Sequence, residues 1–400
     1  MTTSSVNKGL AGPNPVMKTL DFLYFDAGGG HRAAATALKS MVEQQQRPWN
    51  VRLVNLQEVL DSLDVFRKLT GIRLEDIYNL MLAKGWTLGS AQGLKIIHGV
   101  AWLNHQPMLR LLRAHWAKTK PDMVVSLIPN FNRVVHQSLR EALPAVPYVT
   151  ILTDFADYPP HFWMEKQDQH VICGTLKAVD QARAIGFPED KILKTSGMIL
   201  RPKFYDPITI DRSEARIKLG LDPARPTGLV LFGGQGSKVM LDIADRLSET
   251  QLILICGRNE GLATKLRAQH SKAVHVVEGF TSEIPHYMFL SDFFIGKPGP
   301  GSISEAVQMG LPVIVERNPW TLPQERYNAD WVREKGVGLV VDNYRGIRET
   351  AAALLSDLDA YRSRVAQIEN RAIFEIPDML AGILEEKHES NLRSPAVSGN

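Results

Sequence analysis

Two short apolar runs, each closing on a cluster of glycines, constrain this chain more than any other feature. Thr19-Leu20-Asp21-Phe22-Leu23-Tyr24-Phe25 leads into Gly28-Gly29-Gly30, and an Ala-rich segment, 32–43, reads as the helix that follows. Gly228-Leu229-Val230-Leu231-Phe232 leads into Gly233, Gly234 and Gly236. A strand, a glycine turn and a helix open a doubly wound α/β domain. The turn lets backbone amides approach whatever lies beyond the strand end.

Further strands are expected at 51–54, 123–127, 148–152 and 170–173, and then at 251–256, 274–277, 293–295, 312–315 and 338–341. Helix-length stretches separate most of them, which argues for parallel sheets covered on both faces. Pro202 and Pro207 interrupt the pattern within 197–207, which reads as a linker. The expected architecture is α/β with two facing Rossmann-like domains. One spans 19–200 on the acceptor and membrane side, the other 201–385, with polar tails at 1–18 and 386–400.

Composition excludes several classes. At 400 residues the chain suits two or three domains. A net charge of +3 does not imply nucleic acid as a partner, and no recognition motif for it is present. Cys173 and Cys256 are the only cysteines, which gives neither a disulfide framework nor a metal-ligand spacing. No apolar run approaches the ~20 residues needed to cross a bilayer, and the N-terminus lacks a signal-peptide core.

Three segments carry chemistry. Gly28-Gly29-Gly30-His31 brings amides, a helix N-terminus and an imidazole towards something small or anionic. A dinucleotide fingerprint forced onto it fails, since Asn55 and Leu56 stand where an acidic ribose ligand is needed. Lys297-Pro298-Gly299-Pro300-Gly301-Ser302 leaves the first-turn amides of a helix bare for a pyrophosphate, and Glu305 suits a pair of ribose hydroxyls. Gln324-Glu325, followed by Asn328, supplies the donors and acceptors that sugar hydroxyls require.

In this order, with Cys256-Gly257-Arg258-Asn259 and Gly279-Phe280 between them, these segments resemble one family. It is the monogalactosyldiacylglycerol synthase and processive diacylglycerol glucosyltransferase group, relatives of MurG, and the resemblance covers about residues 19–385. It implies a GT-B fold, with a UDP-sugar donor held mainly by the C-terminal domain and a diacylglycerol or related lipid acceptor by the N-terminal one. It places His31 as general base, with Gly29, Gly30, Asp154 and Trp163 on the acceptor side. Gly233, Gly234, Gly236, Ser237, Arg258, Phe280, Gly299, Gly301, Ser302 and Glu305 fall around UDP, and Gln324, Glu325 and Asn328 around the sugar. Neither a cofactor nor a metal is expected. This chain departs from the family at 155–163, where histidine and proline are reordered, and at Arg326-Tyr327, where the lipid synthases tend to place a glycine before the Asn328 position.

Between Phe66 and Lys120 stand nine Lys/Arg and two Asp/Glu, with Trp86, Trp102 and Trp116 among them. Such a segment suits an interfacial helix on anionic lipid, with Lys95, Trp102 and Arg110 as contacts. The alternative is a basic surface helix whose Trp and Leu face the core. The expected location is cytoplasmic, on the inner face of a membrane.

The chemistry expected is direct displacement at the anomeric carbon with inversion. Donor identity stays open among galactose, glucose and N-acetylglucosamine. The rivals are a MurG-like transfer to a polyprenol-linked or other glycolipid acceptor, a UDP-sugar epimerase or hydrolase, and a non-enzymatic UDP-sugar sensor.

Overall fold

The computed structural model describes residues 17–26, 30–61, 105–158 and 162–393, with side chains as far as 386. Lys95 and Trp102, called above as membrane contacts, and Gly29, called on the acceptor side, lie outside the described residues.

The first sheet contains β1 (Lys18–Tyr24), β2 (Trp49–Asn55), β3 (Met123–Ser126), β4 (Tyr148–Ile151), β5 (His170–Cys173) and β6 (Ile192–Lys194), in the order β2-β1-β3-β4-β5-β6. All of its pairings are parallel. The second contains β7 (Thr227–Leu231), β8 (Gln251–Ile255), β9 (His275–Glu278), β10 (Phe293–Gly296), β11 (Val313–Glu316) and β12 (Gly338–Val341), in the order β12-β11-β10-β7-β8-β9. These pairings are parallel too. Renumbered from its own first strand, the second sheet runs 3-2-1-4-5-6, the dinucleotide-fold order.

Central strands β3, β4, β5, β7, β8 and β10 are buried along their whole length, as continuous apolar runs in a doubly covered sheet must be. Helix Gly30–Gln44 turns Ala34, Ala35, Leu38, Met41 and Val42 onto the first sheet, at the i, i+3, i+4 spacing of an amphipathic helix. β6 was not expected: three residues with no buried side chain leave almost no apolar pattern.

The domain division is more entangled than the expected 19–200 and 201–385. The last helix, Ala372–Arg393, returns to the first domain. Ala372, Ile373, Ile376, Leu380 and Ile383 share a core cluster with Leu20, Phe22, Leu38 and Met41. It also runs on to Arg393, through part of the segment expected to be a tail from 386. The chain therefore crosses between domains twice, and the crossings touch. Arg371 N–H donates to Ser196 Oγ at 2.7 Å, and Ser196 N–H donates to Glu375 Oε2 at 2.8 Å. A Cβ on Gly197 would sit 2.5 Å from Asn370 Cγ, so only glycine fits there.

Trp116 corrects the picture of a membrane-facing tryptophan. In helix His105–Thr119 it is fully buried with Met108, Leu109 and Leu112, and its Nε1 donates to Ser138 Oγ at 2.9 Å. Arg110 on the same helix is exposed.

Candidate active site

In parallel α/β sheets, ligands bind beyond the carboxyl ends of strands where the strand order reverses. In the first sheet that point lies between β1 and β3, and in the second between β7 and β10. The segments singled out from sequence occupy both places.

His31 is the second residue of the helix after β1, at the first reversal. Its Nδ1 lies 3.2 Å from Thr153 Oγ1, in the loop after β4, and its ring centroid is 5.7 Å from that of Trp163. Burial pushes its pKa down to about 4, opposed by a hydrogen bond with the Leu127 backbone, so the ring is neutral at pH 7. A neutral imidazole can accept a proton, as a general base must.

Trp163 was expected to meet the acceptor, but it is fully buried. Its Nε1 donates to Asp154 Oδ2 at 2.8 Å and its N–H to Asp157 Oδ1 at 2.7 Å. It braces the ring of His31 instead of facing the cleft. Burial raises the pKa of Asp154 to about 7. The Trp163 bond opposes that rise, Glu325 adds to it and Lys297 lowers it. The last two belong to the other domain, so Asp154 feels charges across the cleft.

On the donor side, Gly233 and Gly236 have φ of 74° and 60°, and Gly257 has φ of 60°. Side chains at the last two would collide with backbone: a Cβ on Gly236 would lie 2.8 Å from the Cys256 carbonyl oxygen, and one on Gly257 2.3 Å from that of Gly234. The turns after β7 and β8 are thus locked together, with Arg258 N–H donating to Gly234 O at 2.9 Å. Gly234 is exposed and Ser237 half-buried beside it. The guanidinium of Arg258 lies 5.0 Å from the ring of Phe280, itself 64% exposed, which makes an open stacking platform.

Gly299 caps helix Pro300–Gln308, with Pro300 at its start, so the first-turn amides point out of the sheet beside Gly301 and Ser302. Glu305 is raised to about 7 by burial, opposed by Arg201 at 3.7 Å.

Gln324 keeps a buried Oε1 that has no hydrogen-bond partner among the described residues, an acceptor suited to a hydroxyl donor. Glu325 is buried and accepts from Lys297 Nζ at 2.9 Å. Asn328 is fully buried and donates Nδ2–H to Pro298 O at 2.8 Å, bracing the turn after β10 from below, while its Oδ1 has no hydrogen-bond partner among the described residues. Lys297, Arg201 and Thr153 had no assigned role in the sequence reading. Lys297 stands inside the glycine motif and was legible there as a cation at a strand end.

Acinetobacter baumannii MurG has this fold, with a TM-score of 0.60 at 13% identity, covering 91% of this chain and 99% of that one. So does a putative UDP-N-acetylglucosamine 2-epimerase from Listeria monocytogenes, with a TM-score of 0.59 at 15% identity over 94% and 98%. Two parallel-sheet domains whose switch points face one another, one bearing a neutral histidine and the other glycine turns and a bare helix start, make a GT-B glycosyltransferase fold.

Residues 31–198 match the model of monogalactosyldiacylglycerol (MGDG) synthase, and residues 229–379 that of the glycosyltransferase family 28 C-terminal domain. Monogalactosyldiacylglycerol synthase 3, chloroplastic, of Arabidopsis thaliana is 27% identical over 404 residues, 93% of this chain and 81% of the relative. The chain thus carries a domain like that of the monogalactosyldiacylglycerol synthases followed by a glycosyltransferase family 28 C-terminal domain, and it is similar to the plant synthases over most of its length.

Proposed function

We propose that this protein transfers a hexose, galactose or glucose, from a UDP-sugar to diacylglycerol or a closely related membrane lipid, with inversion at the anomeric carbon. The observation that carries this reading is the neutral His31 at the first switch point, set against Trp163, whose partner Asp154 senses the charges of Lys297 and Glu325 at the second. Match to the synthase model over the His31-bearing domain supports a lipid acceptor.

In the proposed step the imidazole takes the proton of the acceptor hydroxyl as that oxygen attacks the anomeric carbon. The bond from that carbon to the UDP oxygen breaks, and UDP leaves with the electron pair. Amides of 233–237 and of the Pro300 helix start stabilise the diphosphate, helped by the Lys297 ammonium. Gln324 and Glu325 read sugar hydroxyls, Glu305 the ribose, and Phe280 with Arg258 flanks the base. An α-linked donor gives a β-linked product.

No helix among the described residues is long and apolar enough to cross a membrane. Peripheral attachment to the inner face of a membrane fits a lipid acceptor, with exposed Arg110 among the contacts. The test is UDP release from UDP-galactose, UDP-glucose and UDP-N-acetylglucosamine, with and without diacylglycerol in anionic vesicles. Lipid-dependent release with a new glycolipid is expected. Release that ignores lipid would mean an epimerase or hydrolase.

A further inference from the structure

The carboxyl ends of β11 and β12 frame an open groove of about 790 Å³, lined by Arg317, Asn318, Trp320, Arg326, Asp342 and Arg345. The three guanidiniums face a single lining carboxylate, Asp342. Arg317 is partly neutralised, since it lies 3.0 Å from Asp330, which also meets Arg333 at 3.3 Å. Arg326 is aimed by its own loop, donating to Thr321 O at 3.3 Å and to Pro319 O at 3.2 Å. The Arg345 side chain has no hydrogen bond or ion pair among the described residues, and only its backbone is engaged. Between them Trp320 is 53% exposed.

Net positive charge calls for an anionic occupant, and guanidinium forks match phosphate oxygens. A half-exposed indole beside those cations adds a second requirement, an occupant with an apolar layer just behind its phosphates. The headgroup boundary of an anionic bilayer meets both conditions, and a free anion meets only the first. Position agrees with that choice. The loop that carries Trp320 continues into Gln324 and Glu325 at the sugar end of the cleft, within five residues.

We infer that this groove docks the C-terminal domain on an anionic membrane surface, with headgroup phosphates at Arg326 and Arg345 and the Trp320 indole in the interface. Both domains then meet the bilayer, and the sugar end of the cleft opens onto the layer that holds the acceptor. The inference rests on the lipid-acceptor reading for its rationale, but its test reads docking and not transfer.

Cys173 and Cys256 are the only cysteines and both are buried, so a Trp320→Cys variant can be labelled at that position alone with an environment-sensitive dye. Vesicles of phosphatidylglycerol and phosphatidylcholine should shift the dye emission to the blue, vesicles of phosphatidylcholine alone should not, and ~0.5 M salt should reverse the shift. Adding Arg345→Glu should raise the lipid concentration for half-maximal shift by at least about five-fold, the effect expected for one interfacial cation. No shift with anionic vesicles overturns the inference, whether or not the protein sediments with them. An equal shift on adding inorganic phosphate or UDP alone overturns it too, and makes the groove a small-anion site. If dye shift persists in a protein that releases no UDP with lipid, the transfer reading fails and docking stands.

Discussion

Lys297 Nζ lies 2.9 Å from Glu325 Oε1, joining the turn after β10 to the loop after β11. The cation lies beside the diphosphate turns, with its Cε 3.3 Å from the place of a Cβ on Gly299. The anion is one of two residues expected to read the sugar. If the donor lies where proposed, its diphosphate and its sugar compete for the two ends of this one ion pair.

Lys297→Ala should therefore weaken UDP binding by about 10- to 100-fold, the range for losing a charged hydrogen bond. Glu325→Gln should leave UDP affinity within about two-fold while reducing transfer and discrimination among sugars. Titration calorimetry with UDP separates the two variants, and unchanged affinity in Lys297→Ala would remove the lysine from the diphosphate site.

His31→Ala should lower transfer by about 10²- to 10⁴-fold, the usual contribution of a general base, and leave UDP binding intact. Because burial holds the imidazole near pKa 4, loss of activity from its protonation should begin only below about pH 5. A pH–rate profile that falls already at pH 6.5, and stays that way in Thr153→Val, would point to a different base.

Burial raises the Asp154 carboxyl to about 7 in the folded protein, against 3.8 for an ordinary aspartate. The folded state therefore binds more protons than the unfolded one between those values, and stability falls as pH rises through that window. Asp154→Asn keeps an acceptor for Trp163 but has no proton to lose. Its melting temperature relative to the parent should thus rise by a few degrees between pH 5 and pH 8. A constant difference across that range would show that Asp154 stays ionised throughout.

Two glycines separate packing from binding. Gly257→Ala forces a Cβ against the Gly234 carbonyl at a positive φ, and should cost about 2 kcal/mol or more of stability. Gly301→Ala meets nothing within 4 Å and lies in a helix, where alanine is worth up to ~1 kcal/mol over glycine. It should melt no lower than the parent yet bind UDP more weakly, because the added methyl stands among the amides meant for diphosphate. Equal UDP affinity would move the pyrophosphate off that helix.

Much of this was legible in the chain itself. Glycines with positive φ at 233 and 236 mark the second switch point, and continuous apolar runs such as Phe293-Phe294-Ile295 mark central strands. What escaped depends on residues far apart in sequence. Trp116 reads as interfacial from its basic neighbours, and only Met108, Leu109 and Leu112 on the same face give it to the core. Trp163 and Asn328 carry the polar groups of ligand-binding residues, but Asp154 takes up the indole N–H and the Pro298 carbonyl the amide Nδ2. The return of the last helix joins two amphipathic faces more than 300 residues apart, which no local pattern records.

That return has a mechanical meaning. The strands of chain that link the two domains lie side by side at Ser196-Gly197 and Asn370-Arg371, bonded to each other and too closely packed to admit a methyl group. They act as one hinge pin instead of two loose tethers. Any opening or closing of the cleft that keeps these bonds must pivot at that junction, and its effect falls on the separation between the two switch points.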